Sequence, residues 1–224
     1  MKKSRRYRTS HLIENQFEPG SRGSVLRNLL HIQRRREMDV LEVEKYALSL
    51  PILMGMYTKN HCFTSADICL IHQIWLKDLY AWAGQYRQVN ISKDGFPFTQ
   101  ALYVPQMMKE LERGVLKKYT PCIFKTDEEI ITALAVVHAE LMLIHPFREG
   151  NGRAGRLLTV LMAFQAGLPG LDFSGIRGKV RKAYFSAVQA SAGRDYEPMK
   201  KIFIAVLSRT RQKLGGGTLK SLRS

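Results

Sequence analysis

The chain of 224 residues has the length of one domain with modest extensions. With 45% hydrophobic and 24% charged residues it can form a substantial core, which excludes a chain that is disordered throughout. The formal net charge of +16 makes an anionic ligand or a nucleic acid the first partner to consider.

Much of this positive charge lies at the two ends of the chain. Residues 1–8 and 209–224 each carry five basic residues and no acidic one. Because terminal basic runs usually behave as solvated tails, we do not expect a nucleic acid as the main partner. The cysteines Cys62, Cys69 and Cys122 lack metal-ligand spacing, and no signal peptide or membrane-spanning stretch is evident. We therefore expect a cytosolic protein with reduced thiols and no membrane partner.

Apolar residues recur at helical spacing over most of the chain. The segment VLRNLLHI (25–32) has this spacing, and a helix is predicted from Asp39, a candidate N-cap, to Pro51. Further helices are predicted, in chain order, over residues 63–84, 104–118, 127–144, 151–166, 178–192 and 195–212.

One stretch, YRQVNISKDGFPF (86–98), breaks the helical pattern. Val89 and Ile91 alternate with polar residues before an Asp-Gly turn, and Phe96 and Phe98 alternate after it. This arrangement predicts a β-hairpin inside a helical protein.

The sequence thus predicts an all-α domain with one β-hairpin and no internal repeat. We place this domain at residues 25–205. A basic segment (1–24) precedes it, and a basic tail that we expect to be flexible (206–224) follows it.

The most apolar part of the chain is interrupted by HPFREGNGRAGR (145–156). The flanking helices are apolar on nearly all sides, so the polar loop is expected to line the bottom of a cleft. Gly150, Asn151 and Gly152 lead into a helix N-terminus, where free backbone N–H groups and the helix dipole favour anions.

The other polar residues of this segment suit a polyphosphate. Arg153 and Arg156 are three residues apart, so they share a helix face and can each fork onto phosphate oxygens. Glu149 would approach phosphate only through a Mg²⁺ ion. His145 has a suitable pKa for removing a hydroxyl proton at neutral pH, while Phe147 is predicted to be a buried anchor.

Other catalytic patterns fit less well. The chain contains no GxxxxGK[ST] motif and no HExxH motif. His138 and Glu140 match the H-x-E of zinc deaminases, but no later P-C-x-x-C supplies the remaining ligands. We therefore predict that His138 is a buried, hydrogen-bonded core residue.

Residues 145–156 resemble the signature of the Fic (filamentation induced by cAMP) family, HxFx(D/E)GNGRxxR, at every fixed position. The resemblance extends over about residues 25–205 and includes IHQIWLKDLYAWAGQYR, NISKDGFPF and HAELMLIHPF. It implies a Fic-type helical bundle with a hairpin flap. It also implies a protein adenylyltransferase, which transfers AMP from ATP to a Ser, Thr or Tyr hydroxyl of a target protein, or of the chain itself, and releases pyrophosphate.

The resemblance also implies roles for the motif residues. His145 would deprotonate the target hydroxyl, which attacks the α-phosphorus in line with the departing pyrophosphate. Glu149 would hold Mg²⁺ against the α- and β-phosphates, and Asn151 with the Gly150–Gly152 backbone would steady the phosphates. Arg153 and Arg156 would neutralise the β- and γ-phosphates.

Two further sites follow from the resemblance. The flap residues Val89, Asn90, Ile91 and Phe96 would pair with an extended segment of the target protein by β-augmentation. Tyr184 is a candidate for the adenine pocket.

Many Fic proteins are held inactive by a helix bearing (S/T)xxxE(G/N), whose glutamate pairs with the second motif arginine. Residues 10–15, SHLIEN, are the only match in the chain, with Ser10 and Glu14 at the fixed positions. This implies self-inhibition in which Glu14 denies Arg156 to the γ-phosphate. A separate antitoxin chain and the absence of any inhibitor are the alternatives.

Three alternative functions remain open at this point. Doc-type relatives phosphorylate their targets, but they have a changed GNGR segment and lack its second arginine, whereas Gly152 and Arg156 are both present here. Transfer of another nucleotide is a second alternative, because the choice of base lies outside the motif. A non-catalytic basic binding module is the third, and the intact motif argues against it.

Overall fold

A computed structural model describes residue 9 and residues 11–220. Its helices are α1 (Arg35–Met56), α2 (Ser65–Leu76), α3 (Val104–Leu111), α4 (Lys117–Tyr119), α5 (Asp127–Ile144), α6 (Asn151–Gln165), α7 (Gly178–Ser191) and α8 (Glu197–Lys220). An antiparallel hairpin pairs β1 (Ser92–Lys93) with β2 (Phe96–Pro97), and a π-helix (Glu112–Leu116) joins α3 to α4. The predicted all-α class with one hairpin is confirmed. In this part of the chain, no helix combines the length and hydropathy needed to cross a bilayer.

Helix α5 lies at the centre of the core and packs against α3, α6, α7 and α8. It begins after Thr126, which forms a capping box with Glu129, and it is buried on most of its faces. The structure confirms its predicted bounds. Because α5 and α6 pack together and follow one another in the chain, the loop 145–150 between them lies at one end of the core.

Helix α1 is longer than the sequence predicts. It begins at Arg35 rather than after Asp39, and it continues past Pro51 to Met56. Pro51 is exposed, whereas Leu53 is fully buried one turn from the end. Packing of the last turn therefore outweighs the local cost of a proline inside the helix.

Two other predicted helical segments differ from the structure. Residues 25–32 form no helix; Val25 and Leu26 are buried in an extended segment, where Leu26 bridges to Phe17. The helix predicted over residues 63–84 is limited to α2, and turns bury the apolar residues that follow. In both cases the apolar spacing reports burial rather than helical backbone.

The predicted boundary at residue 206 cuts through α8 and is wrong. Val206, Leu207 and Thr210 are buried against the core. Arg211 donates two hydrogen bonds to Asp127, at 2.6 and 2.8 Å. The apolar spacing of α8 continues past the boundary, so this part of the predicted tail belongs to the domain.

Candidate active site

The loop after α5 needs unusual backbone angles at both of its ends. His145 ends α5 in the left-handed region, with φ of 53°, and Gly150 is the N-cap of α6, with φ of 82°. A Cβ atom on Gly150 would lie 2.8 Å from the Trp75 ring. The glycine therefore satisfies both the backbone angle and the close approach of the loop to α2.

Asn151 holds the loop from inside. Its Oδ1 accepts a hydrogen bond from the Phe147 amide and its Nδ2 donates one to the Phe147 carbonyl, both at 2.8 Å. Asn151 was predicted to steady phosphates, but its side chain is buried and both polar atoms are engaged by the loop. In this structure the side chain therefore shapes the loop, because buried polar groups are satisfied by hydrogen bonds, and its role toward phosphates stays a prediction.

His72 of α2 supports the same loop from below. Its Nδ1 accepts a hydrogen bond from the Gly84 amide at 2.8 Å, so Nε2 carries the proton and donates to the Glu149 carbonyl at 3.1 Å. The imidazole also stacks on the Phe147 ring, with centroids 3.9 Å apart. Burial lowers the pKa of His72 to about 4, which keeps the ring neutral in this role.

The loop opens into a cavity of about 450 Å³. Residues 150–153 at the N-terminus of α6 line this cavity, and a Cβ atom on Gly152 would meet no neighbour within 4 Å. The charged residues of its lining are six cations and two acids: Arg35, Lys93, Arg148, Arg153, Arg156, Arg181, Asp39 and Glu149. An excess of cations at a helix N-terminus suits a ligand with several negative charges.

His145 lines this cavity with a defined tautomer. Its Nδ1 lies 3.1 Å from the carbonyl of Met142, which can only accept, so Nε2 carries the free lone pair. The ring of Phe98 stacks on the imidazole at 3.8 Å. Burial lowers the pKa of His145 to about 4, and the positive charges of Arg87 and Lys93 act in the same direction. The imidazole is therefore neutral at pH 7, as a general base requires.

Glu149 presents the carboxylate that a metal ion would need. Its side chain lines the cavity and is 41% exposed, and its Oε1 accepts a hydrogen bond from the Gly150 amide at 3.1 Å. No cluster of three or more metal-ligating side chains occurs among the described residues. A metal ion here would thus be coordinated by one carboxylate, with oxygens of the ligand and water at its remaining coordination positions. Mg²⁺ is commonly bound in this way.

The two motif arginines have different surroundings. Arg153 forms an ion pair with the buried carboxylate of Glu42, with Nη1 and Oε2 2.6 Å apart, and its guanidinium lies 4.5 Å over the Trp75 ring. Tyr80 donates a hydrogen bond to the other oxygen of Glu42 at 2.7 Å. Arg156 has no ion pair within the described part of the chain, and its buried Nε has no hydrogen-bond partner there. Arg156 is therefore the freer of the two for an anionic ligand.

The flap residues predicted to dock a target differ in exposure. Val89 is buried, so its side chain is not part of a docking surface. Asn90 is exposed, and its Oδ1 accepts a hydrogen bond from the Ala101 amide at 2.7 Å. Ile91 and Phe96 are half-buried at the hairpin. The structure therefore leaves Asn90, Ile91 and Phe96 accessible for the predicted docking.

Tyr184 and His138 lie together beside the cavity. Tyr184 lines its wall with Met142, and the Tyr184 hydroxyl lies 2.8 Å from Nε2 of His138. The prediction that His138 is a buried, hydrogen-bonded core residue is confirmed.

The proposed inhibitory glutamate has other partners in this structure. Glu14 lies in a three-residue 3-10 helix and accepts a hydrogen bond from the Gln88 amide at 2.7 Å; Ser10 lies outside the described residues. Among the ion pairs of the described chain there is none between Glu14 and Arg156. The predicted pair is thus not formed, because the short segment places Glu14 beside Gln88 and the neighbouring Arg87.

Sequence reasoning missed five residues that shape the site. The sequence held a signal for two of them: His72 is a histidine inside the apolar run of α2, and Glu42 follows Met38 by four residues on the buried face of α1. The other three, Arg87, Lys93 and Phe98, lie in the stretch that predicted the hairpin, but the pattern assigned them no role. The missed residues are Glu42, His72, Arg87, Lys93 and Phe98.

Comparisons with known proteins found a family model and similar chains. Residues 62–163 match the model of the Fic/DOC family. The chain is 29% identical over 189 residues to a protein of Escherichia coli (strain K12) named "Probable protein adenylyltransferase Fic", covering 82% of this chain and 88% of that protein.

Solved structures are also similar. The BepC protein of Bartonella tribocorum with bound AMPPNP has a TM-score of 0.73 at 23% identity, covering 88% of this chain and 97% of that one. An N-terminal Fic domain from Bartonella quintana with bound ADP has a TM-score of 0.71 at 25% identity, covering 88% and 95%.

Proposed function

The chain belongs to the Fic/DOC family, and on that premise we propose that it is a protein adenylyltransferase that transfers AMP from ATP to a hydroxyl of a protein and releases pyrophosphate. One observation carries this proposal. The free Nε2 of His145 lines the same cavity as the N-terminus of α6 and the unpaired Arg156. A general base, an anion site and charge for a leaving group are thereby brought together.

The chemistry assigned to each residue follows from its position. The amides at the start of α6, beside Gly152, bind phosphate oxygens, and Arg156 with Arg153 neutralises the charge that builds up on pyrophosphate. His145 accepts the proton of the target hydroxyl at Nε2 as the hydroxyl oxygen bonds to the α-phosphorus. The bond from that phosphorus to the pyrophosphate oxygen breaks. A negatively charged nucleotide beside the imidazole raises its pKa, which strengthens the base when substrate is bound.

Mg²⁺ belongs to this proposal as the metal held by Glu149. Its support is a carboxylate that is open to the cavity and lies beside the anion-binding helix N-terminus. When bound, the ion would screen the negative charge of the phosphates from the carboxylate and from the incoming hydroxyl.

The nucleotide base is proposed to lie against the apolar residues of the cavity lining. The apolar residues of the lining include Met142, Ile176, Tyr184 and Val188. This supports the assignment of Tyr184 to the adenine pocket, where an apolar wall would pack on the base. Shape alone does not select adenine, so other nucleotides belong in the test.

A target protein is proposed to dock on the accessible flap residues, Asn90, Ile91 and Phe96. Their support is their position on the hairpin whose Phe98 stacks on His145. A segment paired with this hairpin would bring its hydroxyl next to the base.

Inhibition by a carboxylate that pairs with Arg156 is proposed to come from a separate chain rather than from Glu14. Two observations support inhibition by a separate chain. Glu14 is engaged by Gln88. The outer face of α1 is apolar and exposed at Val40, Val43, Leu48 and Ile52, which offers a surface for a partner. The variant Glu14→Gly should then not raise activity, whereas self-inhibition requires a rise of severalfold or more.

The experiment for the function uses labelled ATP with Mg²⁺ and a cell lysate or purified chain. Label on protein from the α position supports adenylylation. Label only from the γ position would instead establish phosphotransfer, and no label from either would leave a nucleotide-binding module. Competition with unlabelled GTP, CTP and UTP reports the base preference.

A further inference from the structure

The guanidinium of Arg87 is buried and bonded only to backbone carbonyls. Arg87 precedes the flap in the chain, and it is 1% exposed. Its Nε donates to the His145 carbonyl at 2.7 Å and its Nη1 to the Val89 carbonyl at 2.7 Å. Its Nη2 donates to the carbonyls of Thr99 and, at 3.3 Å, Ile144. One planar group therefore joins the two ends of the flap to the end of α5.

The backbone of Arg87 adds a further link to the catalytic loop. Its amide donates to the Pro146 carbonyl at 2.8 Å. Since His145 has left-handed backbone angles, the carbonyls at the end of α5 cannot find partners in a continuing helix. Arg87 supplies those partners for three successive residues, 144–146.

The N-terminal segment places a carboxylate near this buried charge. Burial lowers the pKa of Arg87 to about 10, and the negative charge of Glu14 opposes that shift. Glu14 is itself 6% exposed and is fixed by the Gln88 amide. A buried cation is costly unless it is paired or hydrogen-bonded, so the carbonyls keep the guanidinium in place, and the negative charge of Glu14 offsets part of the cost of its burial.

We propose that Arg87 is a positioning residue for the transfer reaction: it fixes His145 and both ends of the flap as one rigid unit, and Glu14 stabilises its charge. This inference rests on the proposed function, because it concerns the distance between His145, the proposed base, and the hydroxyl of a docked target protein. A guanidinium suits this task, since its donors lie in one plane at fixed angles, whereas a lysine offers a single flexible ammonium group.

Nucleotide binding and turnover should respond differently to a change at Arg87. The phosphate-binding groups at the start of α6 lie outside the network of Arg87, so nucleotide affinity should not depend on it. The turnover number should, because a misplacement of about 1 Å between reacting groups costs roughly 100-fold in rate.

The test compares Arg87→Lys with Arg113→Lys, a matched change at an exposed arginine of the π-helix. For Arg87→Lys we expect the Kd of ATP within about twofold of wild type and kcat lowered by roughly 10- to 100-fold. Arg113→Lys should change neither. A second variant, Glu14→Gln, keeps an acceptor for the Gln88 amide but removes the charge, and it should lower kcat severalfold; Glu128→Gln is its exposed control.

Hydrogen exchange supplies a measurement that does not depend on activity. In Arg87→Lys, peptides covering residues 88–100 and 143–149 should exchange faster together, while peptides from residues 155–165 of α6 stay unchanged. A wild-type kcat in folded Arg87→Lys, or loosening of only one of the two segments, would overturn the proposal. So would faster exchange throughout the molecule, since that indicates a general stabilising role. If wild type transfers no label at all, the proposed function fails, and the exchange result still decides whether Arg87 couples the two segments.

Discussion

The ring of Phe98 stacks on the imidazole of His145, with centroids 3.8 Å apart and planes inclined by 12°. Phe98 follows β2 of the flap, and His145 ends α5, so this contact joins the docking hairpin to the base. It also contributes to the burial that lowers the pKa of His145. The flap therefore shapes the chemistry of the base as well as the docking of a target.

The first prediction concerns this stacking. Phe98→Ala exposes the imidazole, so the pKa of His145 should rise from about 4 toward its ordinary value of 6.5. The base must be neutral to act, so the acid limb of the kcat–pH profile should move to higher pH, and kcat at pH 8 should fall roughly tenfold through looser positioning. Phe17→Ala, at a ring that is 47% exposed, is the control. An unmoved acid limb would show that Phe98 does not set the pKa of the base.

The second prediction concerns Glu42. Glu42→Gln removes the carboxylate that holds Arg153, so the KM for ATP should rise roughly tenfold, as expected when a buried charge loses its partner. The matched control is Glu44→Gln, two positions along α1 on its exposed face. Steady-state kinetics with varied ATP measure both. Equal KM values for the two variants would mean that the ion pair does not position Arg153 for the nucleotide.

The third prediction concerns the metal. Glu149→Gln should raise the Mg²⁺ concentration needed for half-maximal transfer by roughly tenfold or more, because the charged ligand is lost. The Kd for nucleotide in the absence of metal should stay within a few-fold of the wild-type value. Asp39→Asn changes the other acid of the cavity, which already pairs with Arg35, and it should leave the Mg²⁺ dependence alone. If only Asp39→Asn shifts the dependence, Glu149 is not the metal ligand.

The fourth prediction concerns stability in acid. Burial lowers the pKa values of His72 and His145 to about 4 and that of His138 to about 3. Below pH 6.5 the unfolded chain takes up protons that the folded chain excludes, so the free energy of unfolding should decrease as the pH falls from about 6.5 toward 4. Urea unfolding at pH 7, 6 and 5 measures this. The exposed His11, as His11→Gln, should leave the slope unchanged, and equal stability at pH 7 and 5 would contradict the prediction.

The sequence predicted the parts of this protein that depend on local patterns. The bounds of α5, the start of α6 and the Asp94-Gly95 hairpin turn follow from apolar spacing, capping residues and turn chemistry. The composition of residues 145–156 predicted the position and charge of the cavity.

The long-range contacts could not be predicted in this way. The bonds from Arg87 to residues 144–146 span more than fifty positions, and the pair of Glu42 with Arg153 spans more than a hundred. Asn151 shows the same limit, since nothing local in its motif distinguishes an amide that binds phosphate from one that bonds to Phe147.

The most direct test of the account is transfer of label from α-labelled ATP by His145→Ala, measured beside nucleotide binding by the same variant. Because the imidazole acts on the hydroxyl and not on the phosphates, ATP affinity should be nearly unchanged while transfer falls by about 10²- to 10⁴-fold. Near-normal transfer by the folded variant would contradict the assignment of His145 as the base and, with it, the central claim about this cavity.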